Sequence, residues 1–145
     1  MYEAKFEELG IKMVDIEVYS RAFPDAYRIE DAKKVFESIE YPAWMHCKAG
    51  ADRTGIYATL FQYFHEKMPI SKTNQLKAWP FGHIKHSNAG KIDYYFEEYL
   101  KYEKENPDAD LIEWANNVAN IKKFNNDFKP ESLASFLNDK LLRRE

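Results

Sequence analysis

Cys47, the one cysteine in 145 residues, is separated by five residues from Arg53 in the run HCKAGADRTG, residues 46–55. A thiol attacks an electrophile only as its thiolate, so the first question is what would hold Cys47 ionised. A loop that ends on a helix N-terminus has free backbone N–H groups and the positive end of the helix dipole, and both favour an anion. Five intervening residues are about what such a loop needs to wrap a tetrahedral dianion, with the amides of Lys48, Ala49, Gly50, Ala51, Asp52 and Arg53 turned inward. Gly50 permits a backbone angle that a side chain would resist. Arg53, at the start of the helix, offers a planar fork to two phosphoryl oxygens, which the point charge of a lysine cannot reproduce. Thr54 can donate its hydroxyl to the sulfur and ease its departure, and His46 is expected to orient the loop from below. Phosphate is the natural occupant, and phosphoryl transfer to sulfur is the chemistry that these residue types suggest.

The elements that must position this run are read from periodicity. Residues 2–9 form a short amphipathic helix stopped by Gly10. Residues 11–18 alternate and carry Met13, Val14, Ile16 and Val18, the pattern of a strand, and Pro24 lies in the loop that follows. Ile29, Ala32, Val35, Phe36 and Ile39 predict a helix over 27–39. Residues 41–46 are short and apolar on both faces, as a buried parallel strand would be, so strand, helix and strand make a crossover unit. The spacing of Ile56, Leu60, Phe61 and Phe64 predicts a helix over 53–67 that Pro69 ends. Later residues read as helices over 72–79, 91–104, 109–119 and 130–142 with turn-rich joints. The expectation is a single α/β domain over 1–145: a small parallel sheet, a phosphate-binding loop between strand and helix, and a helix-rich C-terminal half.

Composition narrows the function. Hydrophobic residues are 45% and aromatics 16%, enough for a packed core without disulfide or structural metal. A chain of this length buries about two thirds of the surface its unfolded form exposes. The net charge of -3 lacks the broad positive field that holds nucleic acid or anionic lipid. Glu3, Glu7 and Glu8 stand where a secretory leader would be basic and then apolar, and no apolar run reaches membrane-spanning length. A lone thiol survives best in a reducing compartment, so a cytoplasmic protein with no integral membrane association is expected. Oligomeric state is not readable.

The run HCKAGADRTG resembles the signature His-Cys-x5-Arg-Ser/Thr-Gly of the protein tyrosine phosphatase superfamily, every fixed position matching. CKAGADRTG is most similar to the dual-specificity branch, which includes a phosphoinositide phosphatase and bacterial enzymes whose loop ends in Asp-Arg-Thr-Gly. ELGIKMVDIEV, SRAFPDAYRIEDAKKVFESIEYP and FGHIKHSNAGKIDYYFEEYL extend the resemblance across about residues 2–105. It implies a phosphate monoester hydrolase, protein-tyrosine or dual-specificity, working through a phosphocysteine without cofactor or metal. The partner would be a phosphorylated protein or a small phosphomonoester. The family's proton donor is an aspartate on the loop after the first strand, where this chain has Asp25; some relatives instead place it just before the signature arginine, where this chain has Asp52. Asp52 is preferred, and both stay open, since Asp25 could equally cap the following helix and Asp52 organise the loop. Relatives normally have a further strand and hairpin before the segment that begins here. Lys48 matches a lysine of the phosphoinositide enzyme, whose second lysine is replaced by Ala51.

Alternatives share the loop. A phosphate-binding module of weak or no turnover fits the missing strands and a proton donor displaced from the family's position, where this chain has Ser20 or Arg21 and Asp25 follows only on a shifted loop; a phosphoinositide phosphatase fits Lys48, and sulfur transfer or arsenate reduction also uses a cysteine in an anion loop. Four scattered histidines do not form a metal site. His83 and His86 are read as loop structure, with a position of His83 and Lys85 at the pocket mouth as the second option. Tyr94, Tyr95, Phe96 and Tyr99 read as helix-packing core, and Lys101, Lys104, Lys122 and Lys123 as a solvated face.

Overall fold

A computed structural model describes residues 2–131. Six α-helices follow one another along these residues: α1 Tyr2–Glu8, α2 Ala26–Ser38, α3 Asp52–Phe64, α4 Lys91–Glu105, α5 Leu111–Asn117 and α6 Ile121–Asp127. Two single 3-10 turns, Ile70–Lys72 and Asn88–Gly90, lie between α3 and α4. α2 packs on α3 and on α5, and α4 packs on both 3-10 turns.

The expected parallel sheet is overturned: no residue among those described is in a strand. A strand exists only through the ladder it makes with another, and two short strands alone are marginal. Residues 11–18 keep their alternation only in part, as Ile16 and Val18 lean on the core while Ile11, Met13 and Val14 face outward. The segment is tied down by side chains instead. Arg28 of α2 donates to the backbone carbonyl of Glu17 and, at 3.1 Å, to Glu17 Oε2, while Lys12 pairs with Glu40 at 2.7 Å. Residues 41–46, expected to be a buried strand, are exposed throughout.

Helix positions follow the periodicity more closely. α2 buries Ile29, Ala32 and Phe36, one stripe of a 3.6-residue repeat, and ends shortly before Pro42, which disfavours helix at its predecessor. α3 buries Gly55, Ile56, Tyr57, Thr59, Leu60 and Phe64. α4 buries Ile92, Tyr95, Phe96 and Tyr99, so the aromatic run is core, with half-buried Tyr94 edge-on to Phe23. Phe124 of α6 joins them, stacking on Trp114 of α5 at 6.2 Å. The helix expected over 72–79 is absent, with Lys72 taken into the 3-10 turn and the remainder irregular. α5 lies within the helix expected over 109–119, α6 falls where a turn is expected, and the helix expected over 130–142 lies outside the described residues. No helix among the described residues is long and apolar enough to cross a membrane.

Candidate active site

The loop that carries Cys47 is built from its far end. Asp52, Arg53 and Thr54 form the first turn of α3, and the Gly55 N–H donates to the Ala51 carbonyl at 2.8 Å. Ala51 is buried, which seats the end of the loop in the body of the protein. Gly50 has φ +70°, the left-handed region in which a glycine carries no Cβ penalty. Gly55 is required for a different reason. A Cβ there would come within 2.8 Å of the Leu76 side chain and 3.4 Å of the Gln75 carbonyl, so the chain after α3 lies directly against the helix start.

Around Cys47 the electrostatics oppose each other. Partial burial pushes the thiol up, but the Thr54 hydroxyl and the backbone N–H groups of Ala49, Thr54 and Gly50 all favour the thiolate. The donors win, and the thiol is brought down from 9.0 to about 7. Thr54 Oγ1 is buried and makes no hydrogen bond of ordinary geometry, so its approach to the sulfur is a looser polar contact that favours the thiolate. Arg53 is half-buried and makes no ion pair among the described residues, which leaves its guanidinium available to an oxyanion. Lys48, next to Cys47 in sequence, is exposed.

The two aspartates part company. Asp25 is exposed at the start of α2, makes no side-chain cap, and lies 3.5 Å from Arg28 Nε. Asp52 is drawn inward, its Oδ1 2.8 Å from Nδ1 of His83. His83 is 1% exposed, and its other nitrogen, Nε2, is 2.6 Å from Oδ2 of Asp93 in the first turn of α4. Burial pulls the imidazole down, while the hydrogen bonds to Asp93 and then Asp52, with the charges of both, push it up, and the net shift is upward. His83 therefore lies in a loop, as expected from sequence, but as a buried bridge between the first turns of two helices rather than at a pocket mouth. Its two nitrogens serve separate carboxylates, the geometry of a hydrogen-bond bridge; among the described residues no group of three acidic, His or Cys side chains is placed to hold a metal ion. Nothing in the sequence around His83 signals this, because its partners lie 31 and 10 residues away.

The remaining candidates are placed as follows. His46 is exposed and stacks on Trp44, ring centroids 4.8 Å apart, rather than lying beneath the loop. Lys85 pairs with Glu97 of α4, and His86 Nδ1 lies 3.0 Å from Glu131. Gly82 reaches the underside of Ala51, since a Cβ on it would sit 3.9 Å from that of Ala51.

The loop thus brings a thiol favoured as thiolate, several backbone amides and a guanidinium with no ion pair among the described residues to one helix N-terminus, an arrangement that can hold an oxyanion. Residues 4–65 match the model of the tyrosine phosphatase family, which supports membership of the protein tyrosine phosphatase superfamily and phosphatase activity in general. No curated protein and no solved structure matches the chain.

Proposed function

We propose that the chain hydrolyses phosphate monoesters, phosphotyrosine foremost, in two steps through a phosphocysteine. Cys47 Sγ attacks phosphorus, the bond from phosphorus to the leaving oxygen breaks with its electron pair going to that oxygen, and a carboxylic acid supplies the proton. Water then attacks phosphorus, the sulfur–phosphorus bond breaks, and the thiolate leaves toward the Thr54 hydroxyl. Arg53 and the amides of 48–53 hold the equatorial oxygens, with most effect where charge is spread in the transition state.

The single observation that carries this reading is the gathering of the Thr54 hydroxyl and the backbone N–H groups of Ala49, Gly50 and Thr54 on the Cys47 sulfur, at the first turn of α3 that also holds Arg53. Asp52 is the proposed proton donor. It lies in that same turn, whereas Asp25 is engaged with Arg28. A lone lysine, Lys48, with Ala51 in place of a second, favours phosphotyrosine over phosphoinositide. The single cysteine fits a reducing, cytoplasmic setting.

Hydrolysis of p-nitrophenyl phosphate with and without vanadate tests the proposal. Cys47→Ser is expected to remove turnover by more than about a thousandfold while phosphate binding persists. Arg53→Ala is expected to lower kcat/KM by about 10²–10³ and to weaken vanadate binding as well. Vanadate binding without hydrolysis by the unaltered chain would instead identify a phosphate-binding module.

A further inference from the structure

We propose that His83 is a positioning residue for phosphoryl transfer: anchored at Nε2 by Asp93, 2.6 Å away, its Nδ1 holds Asp52 Oδ1 at 2.8 Å and leaves Oδ2 as the oxygen that exchanges a proton with substrate. This rests on the reading of Asp52 as proton donor. A carboxyl adjacent in sequence to Arg53 and to a ring of loop amides has competing partners. Folded onto the arginine or the amides, it would be lost to the substrate and would weaken the anion site. His83 prevents this by occupying one oxygen from behind.

The surroundings make the grip firm. The imidazole is 1% exposed, and Asp52 and Asp93 are 29% and 12% exposed, so water competes poorly for the two hydrogen bonds. The loop that carries His83 is itself closed, with the Gly82 N–H donating to the Ala78 carbonyl at 2.8 Å and the His83 N–H to the Lys77 carbonyl at 3.0 Å. Asp93 is stabilised in turn by its place in the first turn of α4, where a negative charge meets the positive helix end. Burying an imidazole between two carboxylates is costly unless both are satisfied, and both are. In its doubly protonated form the ring donates at both nitrogens, and the upward shift of its titration keeps that form to higher pH.

The proton inventory of the reaction follows. In the first step the proton on Asp52 Oδ2 passes to the leaving oxygen, and the carboxylate that forms is received by a donor already aimed at its other oxygen. In the second step Asp52 Oδ2 takes a proton from the attacking water as the sulfur–phosphorus bond breaks. His83 exchanges no proton with substrate in either step, so it acts through Asp52.

The test separates positioning from packing by the leaving group. Phenyl phosphate departs as an anion about as basic as tyrosine's and needs its proton; p-nitrophenyl phosphate departs as a far weaker base and depends on it much less. His83→Ala is expected to lower kcat for phenyl phosphate by about 10² and for p-nitrophenyl phosphate by less than about threefold, with KM and vanadate inhibition unchanged. His83→Asn, whose amide nitrogen can stand near the Nδ1 position, should recover most of the loss; His83→Gln, whose amide nitrogen stands near Nε2, should not. Should His83→Ala fail to fold, His83→Asn, His83→Gln and Asp93→Asn carry the same comparison. An equal fall on both substrates, or a parallel loss of vanadate inhibition, would assign His83 to packing and overturn the inference. Asp52→Asn decides what has failed. Leaving-group-dependent loss in Asp52→Asn but in no His83 variant refutes the role of His83 alone, whereas no such loss in Asp52→Asn refutes Asp52 as the donor and the inference with it.

Discussion

The two flanks of the Cys47 loop are built on opposite terms. Behind it, α3 enters the core at once, with Gly55, Ile56 and Tyr57 buried and Leu60 1% exposed. Ahead of it, residues 41–46 cross the surface, and Trp44 is 80% exposed. The loop is thus held from its exit and from beneath, where Gly82 and His83 meet Ala51 and Asp52. A phosphate-binding loop can be shaped from one side when a helix start supplies both its donors and its anchor.

That asymmetry can be broken most forcefully in the core. Leu60→Ala on the helix flank is expected to cost about 2–5 kcal/mol of stability in urea unfolding, and Trp44→Ala on the entry flank less than about 0.5 kcal/mol. Similar costs for both would show that the entry flank is as constrained as the exit. A smaller effect sharpens the picture at the sulfur. Alkylation of Cys47 by iodoacetamide should reach half its maximal rate near pH 7. Thr54→Ala should move that midpoint upward by about one unit, since a hydrogen bond to a charged group is worth about 1.5–3 kcal/mol and the contact here is a loose one. An unmoved midpoint would leave the backbone amides as the whole cause.

The smallest expected effect lies beneath the loop. His83 titrates above its ordinary value in the folded protein, so its contribution to stability is complete below about pH 6.5 and is lost as pH rises through the raised value. The melting temperature should therefore fall across that window, and the fall should be flatter in His83→Asn. A pH-independent melting temperature in the unaltered chain would mean that Asp52 and Asp93 do not hold the ring protonated.

What the residues alone disclosed follows from the range of the forces involved. The loop and helix start that place Cys47, Gly50, Arg53 and Thr54 lie within one run of ten residues, and the stripes of α2 and α4 lie within one helix each, so these placements are legible in the sequence. Residues 11–18 have the alternation of a strand, yet strand formation depends on a backbone partner that no local pattern specifies, and Arg28 and Lys12 fasten the segment by other means. The absent helix at 72–79 has a similar origin: Leu76 is spent against Gly55 rather than along a helix face of its own. The bridge made by His83 was illegible because a histidine in a turn-rich stretch signals nothing until the chain has brought two distant carboxylates to it.

That bridge also bears on how much of the chain makes a working unit. The tyrosine phosphatase match stops at residue 65, yet the groups that steady Asp52 stand at 83 and 93. Transplanting only the matched stretch onto another scaffold would carry over Cys47 and Arg53 but leave Asp52 unmoored, so the smallest portable piece of this arrangement reaches into the first turn of α4.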